Sequence, residues 1–289
     1  MAMDPAYYKK VVDEATDLPS LPTVIAEITE KIRNPTTSAN EVAHLIQEDQ
    51  ALTSNVLKLV NSAFYGFPKQ VNSITRAIVI LGFNKVRNLA LSSSVIDAFK
   101  GRSLAFDFVK FWQHCMGTAI ASDVLAKQLG IKEVDDAFTA GLLHDVGKLV
   151  ISVSFPRDMD AIMTKVLGGG VLIREAEQEV MAIDHTRVGY WLSQRWSMPP
   201  VLVNTIRFHH QPLNARENAP LVHVVHIADA VARSLGVGSG GDDLVPEINK
   251  EVWDKFGLGA SFLDKTIEQT LQGVEKAQAF FDLIKGGRS

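Results

Sequence analysis

Apolar residues in this chain recur at helical spacing almost throughout, and that feature restricts the fold more than any other. In "LPTVIAEITEKIRN", Val24, Ile25, Ile28 and Ile32 share one stripe, with Pro22 where a first turn tolerates it. "SANEVAHLIQ" sets Ser38 and Glu41 at capping-box spacing, ahead of Val42, Leu45 and Ile46. "DQALTSNVLKLVNSAFYG" continues the pattern from Asp49, expected as an N-cap, to Gly66, expected as the stop. "NSITRAIVILG" and "NKVRNLALSSSVIDAF" predict two more helices separated at Gly82. No segment sustains the period-two alternation of a half-buried strand. The expected fold is all-α: an N-terminal helical module packed on a second helical domain, with a C-terminal helical extension.

Composition shifts near "FKGRSLAFDF" (99–108), and Gly, Ser and Asp cluster in "GVGSGGDD" (236–243). These changes predict a module over 1–103, a second domain over 104–236, and a linker with a helical extension over 237–289. In that extension Phe262, Leu263, Ile267, Leu271, Val274, Ala277 and Phe281 keep helical spacing. A chain of 289 residues with 46% hydrophobic and 21% charged side chains is long and apolar enough to bury a core. The net charge of −4, without a basic run, argues against a nucleic-acid duplex as ligand. A single cysteine, Cys115, excludes an internal disulfide framework and a thiolate zinc cluster within one chain. "MAMDPAYYKK" has no apolar signal core, and no run approaches the length of a membrane helix, so a cytoplasmic protein without a membrane partner is expected.

The stretch "DDAFTAGLLHDVGKLVI" poses the chemical question, because His144 and Asp145 stand side by side among small and apolar residues. A carboxylate in such surroundings needs a partner or a metal. Four more histidines of the second block stand beside clear structural punctuation: His114, His185 and the doublet His209-His210. Asp229 interrupts the strongly apolar "LVHVVHIADAVARSL". Each has an ordinary explanation. His114 can be a hydrogen-bonded core residue, the doublet can complement a helix end, and Asp229 can pair with Arg233 four residues on. His44 and His223 are read as ordinary residues, and so is His226, although its place one turn before Asp229 would also suit a residue supporting a ligand. Taken jointly, imidazoles and carboxylates on several helices are how helical proteins build metal sites in their cores. Seven donors exceed one tetrahedral ion, so a two-metal centre bridged by a carboxylate is the economical arrangement.

The order His114, His144-Asp145, Asp229 resembles the H…HD…D signature of the HD superfamily of metal-dependent phosphohydrolases. His185 and His209-His210 resemble the extra ligands of its two-metal members. Over most of residues 15–235 the chain is similar to HDOD-domain proteins. The stretches that carry the likeness include "LPSLPTVIAEI", "LIQEDQALTSNVLKLVNSAFYG", "GLLHDVGKLVI" and "DHTRVGYWLSQRWSMPPVLVNTIRFHHQP". The resemblance implies an HD-type second domain. It assigns His114, His144, Asp145 and Asp229 to one ion, and Asp145, His185, His209 and His210 to another. Many HDOD proteins are signalling modules that have lost such ligands, whereas this sequence keeps the set. No GYP motif follows the doublet, Gln50 stands where Pro is usual, and Lys110 replaces an acidic ligand of some relatives, so no third metal is expected.

The implied cofactors are two divalent ions, Fe or Mn ahead of Zn, Ni or Co. The implied activity is hydrolysis of a phosphodiester or phosphomonoester, with Asp145 and Lys148 in catalytic roles. Lys148 is expected at the site edge, offsetting phosphate charge, with a weaker role in substrate binding for Arg187. The expected partners are a small phosphorylated ligand or nucleotide and a signalling protein. The alternatives are a regulatory module whose metals are structural or sensory, and a metal-free helical scaffold.

Overall fold

The computed structural model describes residues 4–15, 18–277, 280–281 and 285, and among these every regular element is a helix. The chain divides into two compact units, one of Ser20–Lys100 with Leu271–Ser289 and one of Met1–Pro19 with Gly101–Thr270. The opening helix α1 (Pro5–Glu14) belongs to the second unit. Asp4 caps it, Tyr8 packs edge-on against Phe155 at 5.0 Å, and Arg195 donates to the carbonyls of Val12 and Ala15.

The first unit holds α2 (Thr23–Arg33), α3 (Ala39–Gln47), α4 (Gln50–Val60), α5 (Ile74–Leu81) and α6 (Phe83–Phe99). Val24, Ile25 and Ile28 are buried on α2, as their spacing predicts. The Ser38–Glu41 capping box forms, and Asp49 caps α4 through the Leu52 N–H. The α4 helix stops at Val60, before the expected glycine. The Asn61 side chain takes over there, donating to the Leu57 and Val71 carbonyls while accepting from the Val71 N–H. Helix α6 is buried on nearly all sides, so its pattern carries little amphipathic signal.

The second unit is built on α7 (Phe108–Leu129), which packs along α8 (Val134–Leu143). There follow α9 (Val146–Ser154), α10 (Pro156–Leu167), α11 (Ile173–Met181), α12 (His185–Arg195), α13 (Pro200–Phe208) and α14 (Ala219–Ser234). Helix α15 (Lys250–Phe256) and the part of α16 (Ala260–Lys276) up to Thr270 complete it. On α16 the buried positions are Thr266 and Thr270 rather than the expected apolar stripe, and Gln128 of α7 bonds Thr266 and Gln269.

This division departs from the expected boundaries at both ends. Residues 236–249 are not a free linker. They fold as a strap across the second unit, held by Ser239 N–H to the Lys110 carbonyl and by the Asp242 carboxylate to the Ile173 N–H. No single helix among the described residues is long and apolar enough to cross a membrane.

Candidate metal centre

Two close helix crossings assemble the site. At Gly141 on α8, a Cβ would press within 2.7 Å of the Ala119 Cα and the Thr118 carbonyl, so only glycine lets α8 approach α7 this closely. That approach sets His144 beside His114, with ring centroids 5.3 Å apart. At Gly147 on α9, a Cβ would overlap the His185 carbonyl, and the Gly189 amide lies just beyond. This second crossing brings Asp145, immediately before α9, against His185 at the start of α12. The glycines flanking His144-Asp145 therefore act as spacers for the two contacts the pair makes.

All the ligands expected from the sequence converge, in two groups: His114, His144 and Asp229, and Asp145, His185, His209 and His210. His114, His144, His185 and His209 are fully buried, Asp145 and Asp229 are 1% and 2% exposed, and His210 is half-buried. The two Asp145 oxygens face different groups. Oδ2 lies 3.5 Å from His114 Nε2 and 3.3 Å from His144 Nε2. Oδ1 lies 3.1 Å from His185 Nε2 and 3.6 Å from His209 Nε2. Asp229 Oδ1 closes the first group, 3.3 Å from His114 Nε2 and 3.8 Å from His144 Nε2. In the second, the Nε2 atoms of His185 and His209 are 3.4 Å apart.

These spacings suit a cation. A tetrahedron with bonds of about 2.1 Å has edges of about 3.4 Å, the middle of the observed range. Both His114 nitrogens, His144 Nε2 and Asp145 Oδ1 are buried without a hydrogen-bond partner. Each such orphan costs about 1–3 kcal/mol unless something answers it. The Nδ1 atoms of three rings are engaged. His144 Nδ1 donates to the Gly141 carbonyl at 2.7 Å, His209 Nδ1 to the Ile206 carbonyl at 3.1 Å, and His185 Nδ1 to Glu177 Oε2 at 2.6 Å. Donation from Nδ1 leaves Nε2 as a lone-pair donor aimed inward, the arrangement metal-ligating histidines adopt. The donor set and its spacing fit two ions sharing Asp145.

The charges around this cluster are paired. Burial works against the Asp145 carboxylate, but His144, Lys148 and His185 outweigh it and hold the carboxyl well below its usual range. Burial opposes the Asp229 carboxylate in the same way, and Arg233 and His114 hold it low. Burial also opposes a charged His185, yet Glu177 and Asp145 raise its pKa to about 9. His209 has no carboxylate behind it, and burial lowers it to about 4.

Lys148 is not at the site edge. It is fully buried one turn beyond Asp145, and its Nζ donates to Asp145 Oδ2 at 2.6 Å and to the Gly240 carbonyl of the strap at 2.8 Å. Arg187 lies outside the centre, exposed, with its guanidinium 5.8 Å from the Trp191 ring. Two residues on from His185, it projects from a different face of α12. Asp229 does pair with Arg233, at 3.2 Å, while still facing the histidines, so its ordinary and functional explanations both hold geometrically. His226 braces a candidate ligand: its Nδ1 donates to the His209 carbonyl at 2.7 Å, and its Nε2 accepts from the Asn249 N–H.

Glu177 and Asp242 have roles that sequence reasoning missed. Glu177 had a signal, because it shares a buried α11 face with Ile173, Ala176 and Met181 in "IREAEQEVM". A glutamate on an apolar stripe is as conspicuous as Asp229. Asp242, which pairs with Arg233 Nη1 at 2.8 Å, sits in a Gly-rich run that gives no such cue.

Comparison with known proteins agrees with this geometry. The sequence model of the HDOD domain matches residues 18–212. An uncharacterized protein of Treponema pallidum is 30% identical over 93% of this chain and 52% of its own length. Ribonuclease Y of Mycoplasma mycoides is 22% identical over 73% of this chain and 41% of its own. The chain thus spans about half or less of these two curated relatives. Among solved structures, an HDOD domain protein of unknown function from Geobacter sulfurreducens superposes with a TM-score of 0.80 at 25% identity, covering 97% of this chain and 99% of that one. A candidate phosphohydrolase from Shewanella amazonensis superposes at 0.73 with 28% identity, covering 95% and 98%.

Proposed function

From the premise that the chain belongs to the HDOD family, we propose that it is a two-metal phosphohydrolase acting on a phosphomonoester or phosphodiester. One observation carries this reading: a single buried carboxylate, Asp145, turns one oxygen toward each of two groups of inward-facing imidazole nitrogens. His114, His144, Asp229 and Asp145 Oδ2 would hold the first ion, and His185, His209, His210 and Asp145 Oδ1 the second. Nitrogen and oxygen donors of this kind suit Mn or Fe, with Zn, Ni and Co as competitors. When bound, such ions supply Lewis acidity toward phosphoryl oxygens.

The chain's own residues prepare the site. Glu177 fixes the His185 ring and its tautomer, and Gly141 does the same for His144 through its carbonyl. Lys148 donates one hydrogen bond to Asp145 Oδ2 and a second to the strap. Close packing around the buried ligands excludes bulk water, which strengthens every electrostatic interaction inside.

The test is turnover of bis(p-nitrophenyl) phosphate and a panel of phosphomonoesters and nucleotides by Mn- or Fe-loaded protein. Turnover that disappears in Asp145→Asn supports the reading, and no turnover across the panel overturns it. A second reading, a regulatory module whose metals are structural or sensory, draws support from Lys148, which is held by Asp145 and Gly240 instead of facing a phosphate. Signalling output that survives Asp145→Asn would favour that reading.

A further inference from the structure

The strap roofs the first group of ligands. A Cβ on Gly240 would stand 3.3 Å from His114 Cδ2, and a Cβ on Gly238 would collide with the α7 backbone at Lys110 and His114. His114, His144 and Asp229 are consequently sealed. The second group is different, because His210 is half-buried and lines a cavity of about 280 Å3. His226 and Glu247 line this cavity too, and both recur with His210 in a more open hollow of about 640 Å3. Inner cavity and outer hollow thus share the His210 face as a common border.

The inner cavity falls just below the roughly 300–1,000 Å3 typical of small-molecule sites, so what reaches His210 must be compact. Two guanidiniums stand in its wall. Arg233 is pinned by Asp229 and Asp242. The Arg174 Nε is bonded to Asp184, and its terminal nitrogens have no hydrogen-bond partner among the described residues. A planar guanidinium held on one edge presents its remaining N–H groups in a fixed direction, which suits a phosphate oxygen. The remaining charges in the wall are the carboxylates of Glu175, Glu247 and Asp242. In the outer hollow Lys250 is the one lysine or arginine among the lining residues. A polynucleotide needs a basic track for its successive phosphates, and acidic walls repel it.

Resting on the hydrolase reading above, we propose that the His210 cavity is the ligand-entry site and admits a compact phosphomonoester, its phosphate toward His210 and Arg174, and excludes a polynucleotide. Arg174 takes the phosphate-binding part that the sequence suggested for Arg187. Glu175 and Glu247 select for a single phosphate by disfavouring a second anionic group at the mouth.

The test is equilibrium binding by calorimetry to the Mn-loaded full chain, with glycerol 2-phosphate and a short single-stranded oligoribonucleotide as probes. Metal content is measured on every variant. Glycerol 2-phosphate is expected to bind about tenfold or more tightly than the oligoribonucleotide. Leu172→Trp, which fills the mouth, and Arg174→Gln are each expected to weaken glycerol 2-phosphate about tenfold or more while both ions remain bound. Glu247→Lys is expected to raise oligoribonucleotide affinity. Equal or tighter binding of the oligoribonucleotide to the unaltered chain would overturn the proposal. So would unchanged glycerol 2-phosphate affinity in Leu172→Trp. Selective binding without turnover of any phosphoester would sink the hydrolase reading and leave the entry site standing, so the two failures are distinguishable.

Discussion

The two halves of the candidate centre share Asp145 and little else. In the first half both carboxylates already have cations: Lys148 sits 2.6 Å from Asp145 Oδ2, and Arg233 lies 3.2 Å from Asp229 Oδ1. An ion entering there must compete with a lysine ammonium and an arginine guanidinium. In the second half three imidazoles meet Asp145 Oδ1, and the Glu177 carboxylate stands behind His185. An anion behind a ligating histidine raises its basicity and favours a bound cation. The second half should therefore bind its ion more tightly and prefer the more nitrogen-loving metals, while the first half binds later and prefers harder ones. A shared bridge does not make two sites equal when their neighbours carry opposite charge.

Replacing the bridge should have the largest effect. Asp145→Ala is expected to lose both ions, read by elemental analysis, and to leave Lys148 as an unpaired buried charge costing about 3–5 kcal/mol of stability by denaturant titration. An Asp145→Ala protein that still carried two ions would mean that the halves do not share this residue. Glu177→Gln removes the anion behind one half only. It is expected to weaken the second ion by about 10–100-fold and leave the first within severalfold, measured by competition with a chelating dye. Equal weakening of both would erase the proposed difference between the halves. Lys148→Met acts in the other direction on the first half: removing the competing ammonium should tighten the first ion by severalfold even if turnover falls. Arg187→Ala should be the smallest perturbation, within about 0.5 kcal/mol of stability and with metal content unchanged, since the side chain is exposed and away from the centre.

The same contrast separates what could be read along the chain from what could not. Every candidate ligand was visible as a polar residue in or beside an apolar helical pattern, and the helices themselves followed from spacing and caps such as Ser38 and Asp49. The glycines beside His144-Asp145 were visible as well, though their purpose needed the α7–α8 and α9–α12 crossings. Lys148 was misplaced because its position depends on two things spacing does not encode, the local turn of α9 and a strap that arrives from Gly240. Residues 236–243 read as a linker because small residues signal backbone freedom, whereas here Gly238 and Gly240 permit close approach to α7. Gly66 misled in the other direction, since Asn61 supplies a side-chain stop that ends α4 early.

The account stands on Asp145 dividing its two oxygens between two cations, and anomalous scattering from crystals of metal-loaded protein measures that division directly. It predicts two peaks roughly 3.5–4 Å apart, one on the Oδ2 side with His114, His144 and Asp229, the other on the Oδ1 side with His185, His209 and His210. A single peak, or two that do not flank this carboxylate, would contradict it.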